Sequence, residues 1–246
     1  MAVHGVLFDL GNTLVSYYQA EDFHPILKKC IRRCCQSLAG TGVIFDEDVL
    51  FARAKRLNRE REDLSVYPLA ERLQVLFGRE INLNRQQIGS LVDTFMGPIF
   101  SVARIDDAAI PLLQALRGRG IKTGILSNTP WGSPSRLWRA ELRRHHLADN
   151  IDLALFCVDV GWRKPAPQLF NTALERLGLE SQHTIYVGDD PRWDIAGARN
   201  AGLTPLLLAK EAPDPNQDAV TVRSLDAILP LVTGSNADSL IDNIKL

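Results

Sequence analysis

The chain has 246 residues, 28 Lys and Arg against 29 Asp and Glu, and 46% hydrophobic residues. This balance excludes intrinsic disorder, and a net charge of -1 leaves no electrostatic footprint for nucleic acid or an anionic membrane surface. No apolar run approaches the roughly 18 residues of a membrane span. The first residues also lack the charged and apolar regions of a secretory signal. The four cysteines, Cys30, Cys34, Cys35 and Cys157, form no C-x-x-C pair and read as reduced thiols. A cytoplasmic globular protein with no nucleic-acid or membrane partner is expected.

Val6-Leu7-Phe8 is a short apolar run ending at Asp9-Leu10-Gly11-Asn12-Thr13, which predicts a buried strand entering a polar turn. From about residue 17 to 100, apolar residues recur at helical spacing: Ile26 and Ile31, Leu50 and Ala54, then Leu69, Leu73 and Leu76. Turn signals interrupt them at Gly40-Thr41-Gly42, Tyr67-Pro68 and Gly97-Pro98. The block predicts four or five helices and no strand. From Ile110 helices and strands alternate. Strands are expected at 123–126, 153–158, 184–187, 204–208 and 220–222, and helices at 112–116, 135–146, 167–177, 195–201 and 224–232, with a loop at 212–215. That alternation predicts an α/β fold, a Rossmann-like doubly wound parallel sheet with helices on both faces. The expected organisation is a core formed by 1–16 and 102–234, an inserted all-helical module at 17–101, and a tail at 235–246.

In an open parallel sheet, ligands gather outside the carboxyl ends of the strands. Three predicted strands end there in polar clusters: Asp9, Ser127-Asn128 and Asp189-Asp190. Lys164 lies in the loop Gly161-Trp162-Arg163-Lys164-Pro165, just before a helix. Carboxylates, a hydroxyl, an amide and a lysine suit a phosphate with Mg²⁺. Magnesium takes hard oxygen ligands and keeps waters, so one or two carboxylates plus a substrate phosphate suffice. A lysine and helix-start N–H groups neutralise the remaining phosphate charge.

The segments Val6-Leu7-Phe8-Asp9-Leu10-Gly11-Asn12-Thr13-Leu14, Leu126-Ser127-Asn128, Arg163-Lys164-Pro165 and Val187-Gly188-Asp189-Asp190 with Asp194 and Gly197-Ala198 resemble, in order, the four motifs of the haloacid dehalogenase superfamily. The resemblance covers about residues 5–15 and 105–232, and the block from 17 to 101 resembles the family's type-1 helical cap. It implies a phosphatase in which Asp9 is the nucleophile and forms an aspartyl-phosphate. Ser127 and Lys164 would hold the phosphate oxygens, and Lys164 would also pair with Asp9. Asn128 would orient the substrate or the motif loop. Asp9, the Gly11 carbonyl and Asp189 would hold Mg²⁺, with Asp194 or Asp190 as the further acidic residue at the metal.

One position departs from the resemblance. Phosphatases of this family usually carry a second Asp two residues after the nucleophile, which protonates the leaving alkoxide and then activates water; here that position is Gly11. The expected activity is Mg²⁺-dependent hydrolysis of a small phosphorylated metabolite, by a monomer or homodimer. Two alternatives compete with it. One is a dehalogenase in which Asp9 attacks carbon; the other is a non-catalytic protein that binds a phosphorylated ligand or a protein partner. Tyr17, Tyr18 and His24 fall where cap loops of the family reach the substrate, although His24 also fits a surface or helix-cap role. The cysteines of the first helix read as packed side chains. Arg136, Arg139, Arg143 and Arg144, with His145 and His146, read as a solvated face.

Overall fold

β1 (Gly5–Phe8) is wholly buried, as befits a central parallel strand flanked on both sides. The structure is a computed structural model and describes residues 2–209 and 219–234; the expected loop at 212–215 and tail at 235–246 lie outside the described residues. After β1 the chain makes β2 (Val15–Ser16) and then four helices: α1 (Phe23–Ser37), α2 (Glu47–Leu57), α3 (Leu69–Phe77) and α4 (Arg85–Ser101). It returns through β3 (Arg104–Ile105), α5 (Ala109–Arg117), β4 (Lys122–Ser127), α6 (Ser135–Arg144), β5 (Leu153–Phe156), α7 (Cys157–Val160) and α8 (Gln168–Leu177). β6 (Thr184–Gly188), α9 (Ala196–Asn200), β7 (Thr204–Leu208), β8 (Val220–Val222) and α10 (Ile228–Thr233) complete the described strands and α-helices.

Six strands form one parallel sheet in the order β5-β4-β1-β6-β7-β8. β1 thus sits between β4 and β6, with Phe8 opposite Ile125 on one side and Val187 on the other. The pleat sends alternate residues to opposite faces. Val6, Phe8, Ile125 and Val187 pack in the larger core, and Leu7, Leu126, Leu155 and Tyr186 in the core beneath α8. The expected α/β architecture is therefore the observed one.

The helical module holds together by its own patterning. α1 buries Ile26, Leu27, Cys30, Ile31 and Cys34 on one stripe and packs on α4. Asp46 caps α2 by accepting from the Asp48 and Val49 N–H groups, and Asn84 and Gln87 form a reciprocal capping box at the start of α4. Burial raises the Cys30 thiol to about 12 and the Cys34 thiol well above its usual value, so these cysteines are packing groups. Where the chain enters and leaves the module, β2 and β3 pair antiparallel, Val15 with Ile105 and Ser16 with Arg104.

Two local expectations are corrected. Gly97-Pro98 does not break α4, which runs through it to Ser101; Pro98 is only partly buried and lies in the last turn, where its missing N–H costs a single bond, to the carbonyl four residues upstream. Residues 157–158 do not extend β5 but begin the turn of α7, because the Asp159 carboxylate accepts the Phe156 N–H at 3.0 Å and holds the chain in a helical cap. The basic face of α6 is solvent-exposed at Arg136, Arg143, Arg144 and His146, as expected, and three of its arginines pair with neighbouring carboxylates. Arg136 meets Asp93 of α4, Arg139 meets Asp159 at 2.8 Å, and Arg144 meets Glu141 at 2.7 Å.

Candidate active site

The carboxyl ends of β1, β4 and β6 meet the loop before α8 around a buried ammonium. Lys164 is 2% exposed. Its Nζ donates to Asp9 Oδ1 at 2.6 Å, Asp194 Oδ1 at 2.6 Å and Tyr186 Oη at 2.8 Å, with the Leu126 carbonyl at 3.1 Å. Tyr186 Oη in turn donates to the Leu126 carbonyl at 2.9 Å. A buried charge survives only when paired and fully hydrogen-bonded. Burial alone would lower the Lys164 pKa, but the Asp194 and Asp9 carboxylates outweigh it and the ammonium stays charged.

Each partner is set by local structure. The Asp9 N–H donates to the Val187 carbonyl at 2.8 Å, which fixes the residue at the end of β1. Asn128, just past β4, clamps the lysine's backbone from both sides. Its Oδ1 accepts the Lys164 N–H at 2.9 Å and its Nδ2 donates to the Lys164 carbonyl at 3.2 Å. Asp194 accepts the Asp189 and Asp190 N–H groups at 3.1 Å each through Oδ2. A Cβ on Gly188 would overlap the Asp194 side chain, so glycine there lets the two segments touch. The helical module braces the lysine loop as well. The Val66 N–H donates to the Gly161 carbonyl and the Arg163 N–H to the Leu64 carbonyl, each at 2.9 Å. Arg163 also meets Glu60 at 3.4 Å, and Glu60 is held by the fully buried Arg72 at 2.8 Å.

Oxygens of Asp9, Asp189 and Asp194 converge within 4.8 Å of one another. Burial and the Asp194 charge raise Asp9 to about 6, against the pull of Lys164. Burial, then Asp9 and Asp194, raise Asp189 to about 8. Asp194 already spends both oxygens on Lys164 and the backbone. The Asp189 carboxylate is assisted by its own backbone N–H and forms no salt bridge among the described residues. A carboxylate with no cationic partner beside a second one is a donor set suited to a hard divalent cation. Asp190 stands apart, with its carboxylate capping the Arg192 N–H at 2.8 Å and pairing with the Arg192 guanidinium at 2.8 Å.

These groups line a cavity of about 230 Å³ whose wall includes Asp9, Gly11, Ser127, Asn128, Lys164, Asp189 and Asp194. Every residue expected at the site is therefore brought to one place. Tyr17 and Tyr18 also line it; His24 does not, and is an exposed residue of α1 stacked edge-on to Phe51 at 5.8 Å. Sequence reasoning passed over Tyr186, although a tyrosine in an otherwise aliphatic strand three residues before Asp189 was a signal. It also passed over Trp138 and Trp193 in the cavity wall, which carry no local signal.

A parallel sheet with a lysine-bridged carboxylate cluster at its carboxyl edge defines a hydrolase-type α/β site. The chain belongs to the haloacid dehalogenase-like hydrolase family, whose model matches residues 3–202. It is 28% identical to a ribulose-1,5-bisphosphate 5-phosphatase of Halopiger xanaduensis, over 97% of this chain and 95% of that protein. It is 31% identical to a glyceraldehyde 3-phosphate phosphatase of Methanothermobacter thermautotrophicus, over 90% of this chain and 92% of that protein. Among solved structures, a haloacid dehalogenase-family phosphatase from Thermococcus onnurineus superposes with a TM-score of 0.68 at 21% identity, covering 96% of this chain and all of that one. No helix among the described residues is long and apolar enough to cross a membrane.

Proposed function

We propose that the protein is a Mg²⁺-dependent phosphatase that hydrolyses a small phosphorylated metabolite through an aspartyl-phosphate on Asp9. The observation that carries this reading is the buried Lys164 bridging Asp9 and Asp194, with the Asp189 carboxylate converging on the same point. The phosphatase names of two relatives that align over nearly their whole length point the same way. Asp9, Asp189 and the Gly11 carbonyl would hold the metal, which supplies positive charge against the phosphoryl oxygens and polarises the phosphorus.

The chain's own residues do the rest. Lys164 keeps Asp9 ionised and fixes its orientation, and its charge favours the phosphate dianion in the cavity. The Ser127 hydroxyl, buried next to Asp9, donates to a phosphate oxygen. Asp9 attacks phosphorus; the new carboxylate–phosphorus bond forms as the ester bond breaks and the leaving oxygen departs. Water then attacks the phosphorus of the acyl phosphate, releasing inorganic phosphate and restoring the Asp9 carboxylate. Asn128 and Asp194 act through Lys164, as positioning groups. Helices α1–α4 serve as the cap that closes over the substrate and keeps bulk water out. The same Asp189 weighs against a dehalogenase, which needs no cation and would leave that carboxylate uncompensated.

The test is hydrolysis of p-nitrophenyl phosphate with and without Mg²⁺, together with trapping of a beryllofluoride adduct on Asp9. Turnover that needs Mg²⁺ is expected, and Asp9→Asn should lower it at least about 10³-fold, because nucleophile and metal ligand are lost together. Metal-independent turnover, or an Asp9→Asn enzyme keeping more than about a tenth of the rate, would remove the proposal.

A further inference from the structure

Outside the charged cluster the cavity wall combines Gly11, Asn12, Ser127 and Asn128 with four rings, Tyr17, Tyr18, Trp138 and Trp193, and Pro130. Trp138 and Tyr17 are set before any ligand arrives. Trp138, 3% exposed, donates its indole N–H to Ser133 Oγ at 2.9 Å and meets Tyr17 edge to face at 5.6 Å. The Arg192 guanidinium lies 5.5 Å from the Trp193 ring centre. Rings already immobilised lose little freedom when a ligand stacks on them, so the contact favours binding.

Among its described residues the same wall offers no second positive charge. Among the described residues Lys164 is the one basic side chain lining the cavity, and it is saturated by Asp9 and Asp194. Arginines of the adjoining segments are already paired: Arg192 with Asp190 of the cavity wall, Arg144 with Glu141 and Arg163 with Glu60. A carboxylate or second phosphate on the leaving group would enter beside Asp189 and Asp190 without a counter-charge, which is costly in a partly buried site. At about 230 Å³ the cavity is also smaller than the ~300–1,000 Å³ typical of drug-sized ligands. It has room for a phosphate and one ring.

From this wall we infer that the substrate is a phosphate monoester whose leaving group is uncharged and presents a single flat ring to the partly exposed Tyr18 and Trp193. Phosphorylated carboxylates and bisphosphates are poor substrates. The inference rests on the phosphatase reading and narrows it.

Phosphonates test it without depending on turnover, because they bind but cannot be hydrolysed. Calorimetric titration of the Mg²⁺-loaded protein with ethylphosphonate, benzylphosphonate, cyclohexylmethylphosphonate and 4-carboxybenzylphosphonate separates ring, flatness and charge. Benzylphosphonate should bind roughly tenfold tighter than the ethyl analogue, as expected for one good ring contact. The carboxylated analogue should bind at least about tenfold more weakly than benzylphosphonate. Trp193→Leu and Tyr18→Leu, which keep an apolar side chain, should each shrink the benzyl-to-ethyl ratio to below roughly threefold. Equal affinities for ethyl and benzyl, for cyclohexylmethyl and benzyl, or for benzyl and its carboxylated form would overturn the inference while p-nitrophenyl phosphate turnover left the phosphatase reading intact. If no phosphonate binds and no ester is hydrolysed, both fall together.

Discussion

Gly11→Asp restores, on paper, the acid that this chain lacks, and the structure has space for it. A Cβ at position 11 would meet Asp9 Oδ2 and Tyr17 Cδ2, each at 4.0 Å, which is ordinary contact. Gly11 is not among the residues held at positive φ, so no left-handed strain opposes the side chain. The new carboxyl would stand next to Asp9, and that charge would raise its pKa toward a value useful for donating a proton at neutral pH. General acid help is worth about 10²–10⁴-fold, and it matters most for alkoxides, which are strong bases, and least for p-nitrophenolate. In the wild type, kcat/KM should fall steeply as leaving-group pKa rises across a series of aryl and alkyl esters. In Gly11→Asp the alkyl esters should gain roughly 10²-fold or more, while p-nitrophenyl phosphate changes little. Reading kcat/KM isolates the step up to leaving-group departure, so any help with the later attack of water does not enter. Calorimetric Mg²⁺ binding and circular dichroism show whether the variant is folded and loaded. A flat wild-type dependence with chemistry limiting would mean that another acid is already in place, and the reasoning from Gly11 would be wrong.

Asp189→Asn should raise the Mg²⁺ concentration for half-maximal activity at least about tenfold, whereas Lys164→Ala should lower kcat even at saturating metal; unchanged metal dependence in the first variant would contradict its role as a ligand. Metal-free protein should lose stability as pH rises from about 5 to 8. Asp9 at about 6 and Asp189 at about 8 hold protons in the folded state that the unfolded chain has already released, so unfolding free energy falls by at most ~1.4 kcal/mol per pH unit for each group. Urea melts at several pH values in EDTA measure that slope, which Mg²⁺ should flatten. Arg72→Leu strips the buried partner from Glu60 and from the carbonyls of Leu57, Arg59 and Tyr67. It should cost about 3–5 kcal/mol, and a thermal midpoint within a degree of the wild type would show that the network is idle.

The candidate site groups were legible in the sequence because topology alone collects them. Asp9, Ser127 and Asp189 each follow an apolar run that makes a parallel strand, and parallel neighbours bring their carboxyl ends to one edge. The pairing of β2 with β3 left no trace, since two residues per strand carry no periodicity. The cavity wall was illegible for a different reason. Tyr18, Pro130, Trp138 and Trp193 come from four segments with unrelated local structure, and their meeting is a tertiary fact. Arg72 gave no signal either: a lone arginine in a Leu-rich helix reads as solvated, yet its stem and fork fill the space between α3 and the 57–60 loop.

Charge explains why the legible part coheres. Three carboxylates, Asp9, Asp189 and Asp194, converge on one ammonium, so two negative charges stay uncompensated when all are ionised. Protonation is one remedy, and the raised pKa of Asp189 expresses it. A single divalent cation is the other, and it would leave the cluster neutral and open to a phosphate dianion. A leaving group with a further negative charge would unbalance that arrangement, with no cation in the described wall to meet it. The charge balance that supports a metal-dependent phosphatase thus also argues for an uncharged leaving group.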